Sequence, residues 1–182
     1  MVIRDRTDDD VPACVDILRA VHEADGYPVH LPENPESFLV VPDALGAWVA
    51  GDPGDGVVGH VLLRPSAWSA AIMEVASAAT GLGVERLAVV ARLLVAPWAR
   101  RRGVGRALLD AAASYARELG RQPVLDVVQG PGRGHAAAIE LYERAGWRRA
   151  GIVTGTFSNG ATVDELVYFG PTSPSRSCRP SL

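Results

Sequence analysis

Two cysteines, Cys14 and Cys178, are all that this 182-residue chain contains. One falls in an expected helix and the other in an expected tail, so a disulfide framework is excluded and a reducing, cytoplasmic setting is expected. No apolar run reaches the roughly 18 residues that a membrane span needs, and the N-terminus is acidic rather than basic and then apolar, which argues against both a span and a signal peptide. There is no internal repeat. Positive charge is not in excess either: the formal net charge of -3 argues against general nucleic-acid binding, so any cluster of arginines reads as a local anion site. His22, His30 and His60 form no metal-ligand spacing with Asp, Glu or Cys, and no metal is expected.

What remains is ordinary for a soluble globular protein, with 48% hydrophobic and 21% charged residues. The length suits one domain, expected over residues 1–170. Residues 171–182, rich in Ser, Pro and Arg, are expected to be a disordered tail. Strands and helices alternate along the chain. Residues 2–6 suit a strand, and one of Asp8, Asp9 and Asp10 caps a helix that carries Val11, Cys14, Leu18 and Val21 on one face. Pro28, Pro32, Pro35 and Pro42 break the next segment, leaving a short helix around residues 36–40. Residues 45–50 and 57–64 form a hairpin across a Gly/Asp/Pro loop. Ser66 precedes Trp68, Ile72, Val75 and Ala79, which predict an inserted helix. A long strand over 85–95 follows, then a helix with Val104, Leu108, Ala111, Tyr115 and Leu119 on its apolar stripe and Gly120 at its end. Strands are expected at 123–128, 147–156 and 163–169, the last two joined by a turn at Ser158-Asn159-Gly160.

The most informative stretch runs from Val95 to Leu109. A hydrophobic strand breaks at Pro97, passes through Arg100-Arg101-Arg102-Gly103-Val104-Gly105-Arg106 and enters a helix. Glycines permit a tight turn and a close backbone approach, and the unpaired N–H groups at a helix start attract phosphate, as do the arginines. A P-loop would need Lys and then Ser or Thr after its last glycine, where this chain has Arg106-Ala107. A dinucleotide fingerprint would need Gly or Ala at 108, where this chain has Leu108. Standing alone, the stretch is an ordinary strand-to-helix turn with solvated arginines. About thirty residues on, however, comes Ala138-Ile139-Glu140-Leu141-Tyr142-Glu143-Arg144-Ala145-Gly146-Trp147. In it Ala138, Leu141, Tyr142 and Ala145 share a helix face, and Gly146 suits a left-handed cap.

Arg-x-x-Gly-x-Gly over 100–105, followed by a Leu-Tyr helix that ends in Gly and an aromatic residue, resembles the two signatures of the GNAT superfamily of acyl-CoA-dependent N-acetyltransferases. The resemblance covers residues 85–157 well and the N-terminal half loosely. It implies an α/β fold with a central twisted mixed sheet of about seven strands, flanked by helices on both faces, with two parallel strands splaying apart around the pantetheine of acetyl-CoA. The implied cofactor contacts are Leu93, Leu94, Val95, Arg100, Arg101, Arg102, Gly103, Val104, Gly105, Arg106 and His135. His135 stands where many members have asparagine, and a contact with pantetheine and a helix cap both stay open for it. Tyr142 is the implied general acid. Asp126 is the favoured base, with a water chain and Glu85 as alternatives. The acceptor is a small-molecule or peptide amine, for which Glu23 and Asp25 offer negative charge. Neither nucleic acid nor membrane is an expected partner, and a homodimer is left open. A non-catalytic acyl-CoA-binding module is the alternative to an enzyme.

Overall fold

The computed structural model describes residues 1–52, 56–129, 133–156 and 162–172. In chain order these form β1 (Val2–Asp5), α1 (Val11–Asp25), α2 (Pro35–Leu39), β2 (Gly46–Asp52), β3 (Gly56–Arg64), α3 (Ala70–Thr80), β4 (Leu87–Val95), α4 (Val104–Glu118), β5 (Gln122–Gln129), α5 (Arg133–Arg144), β6 (Arg148–Thr156) and β7 (Thr162–Phe169). One seven-stranded mixed sheet runs in the order β1-β2-β3-β4-β5-β7-β6. All its pairings are antiparallel except β4 with β5. The expected Ser158-Asn159-Gly160 turn and the tail beyond Thr172 lie outside the described residues.

Alternation along the strands assigns helices to the two faces. On β5, Val124 packs with Ile72, Met73 and Ala76 of α3. Its neighbours Leu125 and Val127 join the larger core with Leu108 and Leu109 of α4 and Tyr142 of α5. The α4 helix lies close on the sheet, because a Cβ at Gly59 of β3 would come within 2.8 Å of Leu108 Cδ1 and 3.0 Å of Val104 Cγ1. Trp48 of β2 meets Tyr115 of α4 edge to face at 5.3 Å. The α1 helix buries Val11, Cys14, Leu18 and Val21 as the spacing requires, and ends at Gly26 with φ 73.

Several local expectations are corrected. The carboxylate of Asp10, at the start of α1, caps nothing downstream. It accepts from the Thr7 N–H at 2.8 Å and takes both Arg4 Nη atoms, at 2.6 and 2.7 Å. The α3 helix starts after Ser69, so Trp68 precedes it and is 56% exposed, and the buried stripe is Ile72, Met73 and Ala76. Leu119 lies beyond α4 and is exposed, because the buried face runs through Val104, Leu108, Ala112, Ala113 and Ala116. Glu85 sits in an exposed 3₁₀ turn before β4 rather than in the strand.

Candidate active site

A gap in the sheet organises the site. β4 and β5 pair only through Leu87, Ala88 and Val89 against Gln122, Pro123 and Val124. Past that point β5 continues along β7, from Val124 opposite Phe169 to Gln129 opposite Asp164, while β4 continues along β3. The two parallel strands therefore diverge, and the β5-facing edge of β4 is left without a strand partner. Ala96 donates to Val58 O at 2.9 Å, on the β3 side. Amides alternate along a strand, so those of Val95 and Leu93 face the gap and that of Leu94 faces β3.

The divergence has a local cause. Arg92 has φ 53 and the β3–β4 register shifts between His60 and Leu62, so β4 carries a bulge at its midpoint. His60 is fully buried beneath the bulge. Its Nδ1 lies 3.1 Å from Arg92 O and its Nε2 lies 3.2 Å from Arg6 Nη1. A guanidinium can only donate, so Nε2 accepts and Nδ1–H donates to the carbonyl. Burial pushes this imidazole down to about 4, which keeps it neutral and in that tautomer. Arg6 Nη1 also donates to Leu39 O at 2.6 Å, tying α2 to the same post.

The turn after β4 leads into α4 through Gly103, whose φ of 80 no L side chain adopts comfortably. Ala107 is the first residue of α4 to find an intrahelical acceptor, Gly103 O at 3.0 Å, which leaves the preceding amides of the turn to point outward. The sequence offered no reason for the two glycines besides ligand approach, and the geometry supplies two. Gly103 has open space but a left-handed backbone, whereas a Cβ on Gly105 would lie 3.2 Å from Leu141 Cδ2 and 3.4 Å from Val95 Cγ2. The arginines differ from one another. Arg100 forms a two-bond ion pair with Asp25 at the end of α1, one bond being 3.1 Å. Asp25 is thus occupied by Arg100 rather than left for an incoming amine. Arg106 holds Asp110 at 2.7 Å, one turn along α4. Arg101, with φ 63, and Arg102 are exposed at the turn.

On α5, Tyr142 is buried, with its ring 6.1 Å from Tyr168 and 6.3 Å from Trp147. Burial, then Tyr27, Asp126 and Tyr168, hold its hydroxyl protonated far above the ordinary phenol range. His135 lies seven residues before Tyr142 on the same helix face, and both its ring nitrogens are buried with no hydrogen-bond partner among the described residues. Gly146 closes the helix in the left-handed conformation, with φ 80.

Asp126 of β5 comes within electrostatic range of Tyr142 and Tyr27, and burial raises its pKa. A second carboxylate, missed in the sequence, accompanies it. Val128 faces Glu165 and Asp126 faces Val167 across β5 and β7, so Asp126 and Glu165 share one sheet face a diagonal apart. Glu165 is 1% exposed, and burial, then Asp126, push it up to about 7. The Trp68 side chain pulls against the rise of both carboxyls. The Arg92 guanidinium lies 4.2 Å from the Phe38 ring centroid, and the charges of Arg92 and Asp126 both act on Tyr27. Of the expected site residues, Tyr142 and Asp126 lie within electrostatic range of each other, Asp126 on the sheet face of Val124 and α3 and Tyr142 in the core on the other face. Glu85 stands apart at the far, exposed start of β4.

Residues 12–147 match the family model described as Acetyltransferase (GNAT) family. No curated relative matches the sequence. The fold is similar to that of a GCN5-related N-acetyltransferase from Kribbella flavida, with TM-score 0.67, 23% identity, and coverage of 94% of this chain and 97% of that one. It is also similar to the ribosomal-protein-alanine N-acetyltransferase from Brucella melitensis, with TM-score 0.65, 24% identity, and coverage of 93% and 98%. Arabidopsis thaliana NAA60 in complex with acetyl-CoA gives TM-score 0.68 at 20% identity over 92% of this chain and 96% of that one. With the family model spanning most of its length, and a divided parallel strand pair leading into the Arg-x-x-Gly-x-Gly turn, the chain belongs to the GNAT acetyltransferase family.

Proposed function

We propose that the protein is an N-acetyltransferase that moves the acetyl group of acetyl-CoA to a primary amine by direct attack in a ternary complex. The observation that carries this reading is the β4–β5 gap, which leads into the outward-pointing amides of α4, and Tyr142 and Asp126, within electrostatic range of each other, support it. The residues present fit acetyl-CoA. The α4 amides and the Arg100–Arg106 turn suit its phosphates. The free edge of β4 at Leu93 and Val95 suits its pantetheine amides, as an added strand would, and the orphaned ring nitrogens of His135 lack only a polar partner. Bound there, acetyl-CoA supplies an activated acyl group and a thiol leaving group.

The chain's own residues do the rest. Asp126, a carboxylate whose raised pKa makes it a stronger base, accepts a proton from the incoming ammonium. The Leu93 N–H, next to the bulge, faces the negative charge that develops on a carbonyl oxygen in the gap, while the edge at Val95 is left to pantetheine. The Tyr142 hydroxyl, protonated at any ordinary pH, donates to the departing sulfur. No side-chain nucleophile takes part: Cys14 is fully buried on α1, and burial raises its thiol to about 11. The acceptor is a small molecule or a peptide amine, and the setting is cytoplasmic, in keeping with that free thiol. Residues 1–170 act as a single unit.

Calorimetric titration with acetyl-CoA, paired with thiol release over a panel of amines, tests the proposal. Binding with turnover supports it. Binding without turnover on any amine leaves an acyl-CoA-binding module, and absence of binding removes both readings.

A further inference from the structure

Arg92 is an odd residue for the middle of an apolar strand. In Leu87-Ala88-Val89-Val90-Ala91-Arg92-Leu93-Leu94-Val95 every other side chain is aliphatic. The bulge gives Arg92 a left-handed backbone, and the His60–Arg6 post holds its carbonyl in place. Its guanidinium lies over Phe38, and its Nη1 is buried with no hydrogen-bond partner among the described residues. Asp43, whose charge reaches Arg92, is already engaged: it receives Arg64 at 3.2 Å on both oxygens. A buried guanidinium donor with no anion is costly unless a ligand brings one.

The place of this cation matters as much as its state. Tyr27 feels Asp126 and Arg92 together. Arg92 sits at the bulge directly before Leu93, whose amide faces the gap, so the guanidinium springs from the strand edge at which the acyl group would be attacked. We infer that Arg92 receives an oxyanion of the acceptor, so that the acceptor is an amine bearing a carboxylate close to its nitrogen, that is, a free amino acid or an amine of that type. A planar, forked donor set suits a carboxylate, and stacking on Phe38 fixes its plane. A peptide N-terminus, with an amide where the free amino acid has its carboxylate, would leave the charge of Arg92 uncompensated. Burial lowers the pKa of Arg92, in keeping with a cation that awaits a partner.

This inference rests on the acetyltransferase reading above, and its test separates the two. Thiol release from acetyl-CoA is measured with free α-amino acids, with the α-carboxamides of the same amino acids and with simple alkyl amines. The wild-type protein is expected to favour at least one free amino acid over its own amide by ~10–100-fold in kcat/KM, the scale of one charged hydrogen-bonded pair. Arg92→Gln is expected to erase that preference chiefly through KM, and Arg92→Lys to restore part of it. Should Arg92→Gln fail to fold, the acid-to-amide comparison on the wild-type protein still decides. Amides used as well as acids, or a preference that survives in Arg92→Gln, overturns the carboxylate assignment while leaving the acetyltransferase in place. Absence of turnover with every amine overturns both.

Discussion

Tyr142 offers the cleanest test at the scale of single residues. Tyr142→Phe keeps the ring between Tyr168 and Trp147 but removes the proton for the leaving sulfur. Turnover is expected to fall by roughly 10²-fold with acetyl-CoA affinity little changed, and stopped-flow thiol release checks this. Full turnover would return Tyr142 to the core as a packing residue. Asp126 and Glu165 answer to pH instead. Asp126→Asn is expected to lower the rate near neutral pH and to move the rising limb of the pH–rate profile toward the pKa of the amine itself. Glu165→Gln removes a carboxyl that burial and the Asp126 charge hold up to about 7, so any inflection that Glu165 adds to the profile near pH 7 should vanish while turnover at high pH is retained. An unchanged profile in Asp126→Asn would pass the role to a water chain. Tyr142 and Asp126 were legible in the sequence because a helical signature and a strand position marked them. Glu165 was legible only in outline, as the one carboxylate at an alternate position otherwise filled by Val163, Val167 and Phe169. Arg92 and His60 were not, since a β-bulge leaves no periodic trace in the sequence.

Among the elements, the junction of β4 with α4 carries the most risk and the most information. Gly105 lies where α4, α5 and β4 converge, so Gly105→Val would press a branched side chain toward Leu141 Cδ2 and Val95 Cγ2. Acetyl-CoA affinity is expected to drop at least ~10-fold, with a loss of roughly 1–3 kcal/mol in stability because the helix must back away. Calorimetry and thermal melts report the two effects separately. Gly103→Ala works differently, since its Cβ meets nothing but its φ of 80 is strained, so a stability loss of about 1 kcal/mol is expected, seen as a lowered Tm. Affinity that stays intact in Gly105→Val would detach the phosphates from this turn. Elements of this kind were readable because glycines, prolines and apolar periods mark where strands stop and helices begin. Helix faces were read less well. The spacing over Trp68–Ala79 admits two adjacent stripes, and the choice belongs to β6 and β7, which α3 covers through contacts such as Val75 against Gly151. Leu119 followed the α4 period one turn too far, because Gly120, with φ 70, ends the helix and leaves the leucine in solvent.

For the whole molecule, two buried groups on opposite sides of the gap set opposing dependences of stability on pH. His60 titrates near 6.5 when unfolded and at about 4 when folded, so it contributes stability above pH 6.5 that is lost as the pH falls through 4. Glu165 is raised from 4.5 to about 7, so its contribution is present below pH 4.5 and is lost as the pH rises through 7. Each span corresponds to a term on the order of 3 kcal/mol, and over pH 4.5–6.5 the two slopes oppose each other. With the buried Asp126 carboxyl also raised and adding to the falling slope, the wild-type unfolding free energy is expected to be flattened across that window and tilted downward with rising pH. Below it stability falls steeply, as Asp10, held well below the usual carboxylate range by Arg4, takes up its proton. Single variants should unmask each slope. Glu165→Gln should stabilise the protein at pH 8 and make the slope of stability against pH between 4.5 and 6.5 more positive than in the wild type. His60→Leu should cost about 1–3 kcal/mol at neutral pH, because Arg6 and the Arg92 carbonyl each lose a partner, and should leave stability falling with pH between 4.5 and 7. Urea unfolding at half-unit pH steps measures all three curves. A slope in Glu165→Gln that matches the wild type would mean that the Glu165 carboxyl titrates at its ordinary value, and that the pair it forms with Asp126 under the Trp68 indole is open to water.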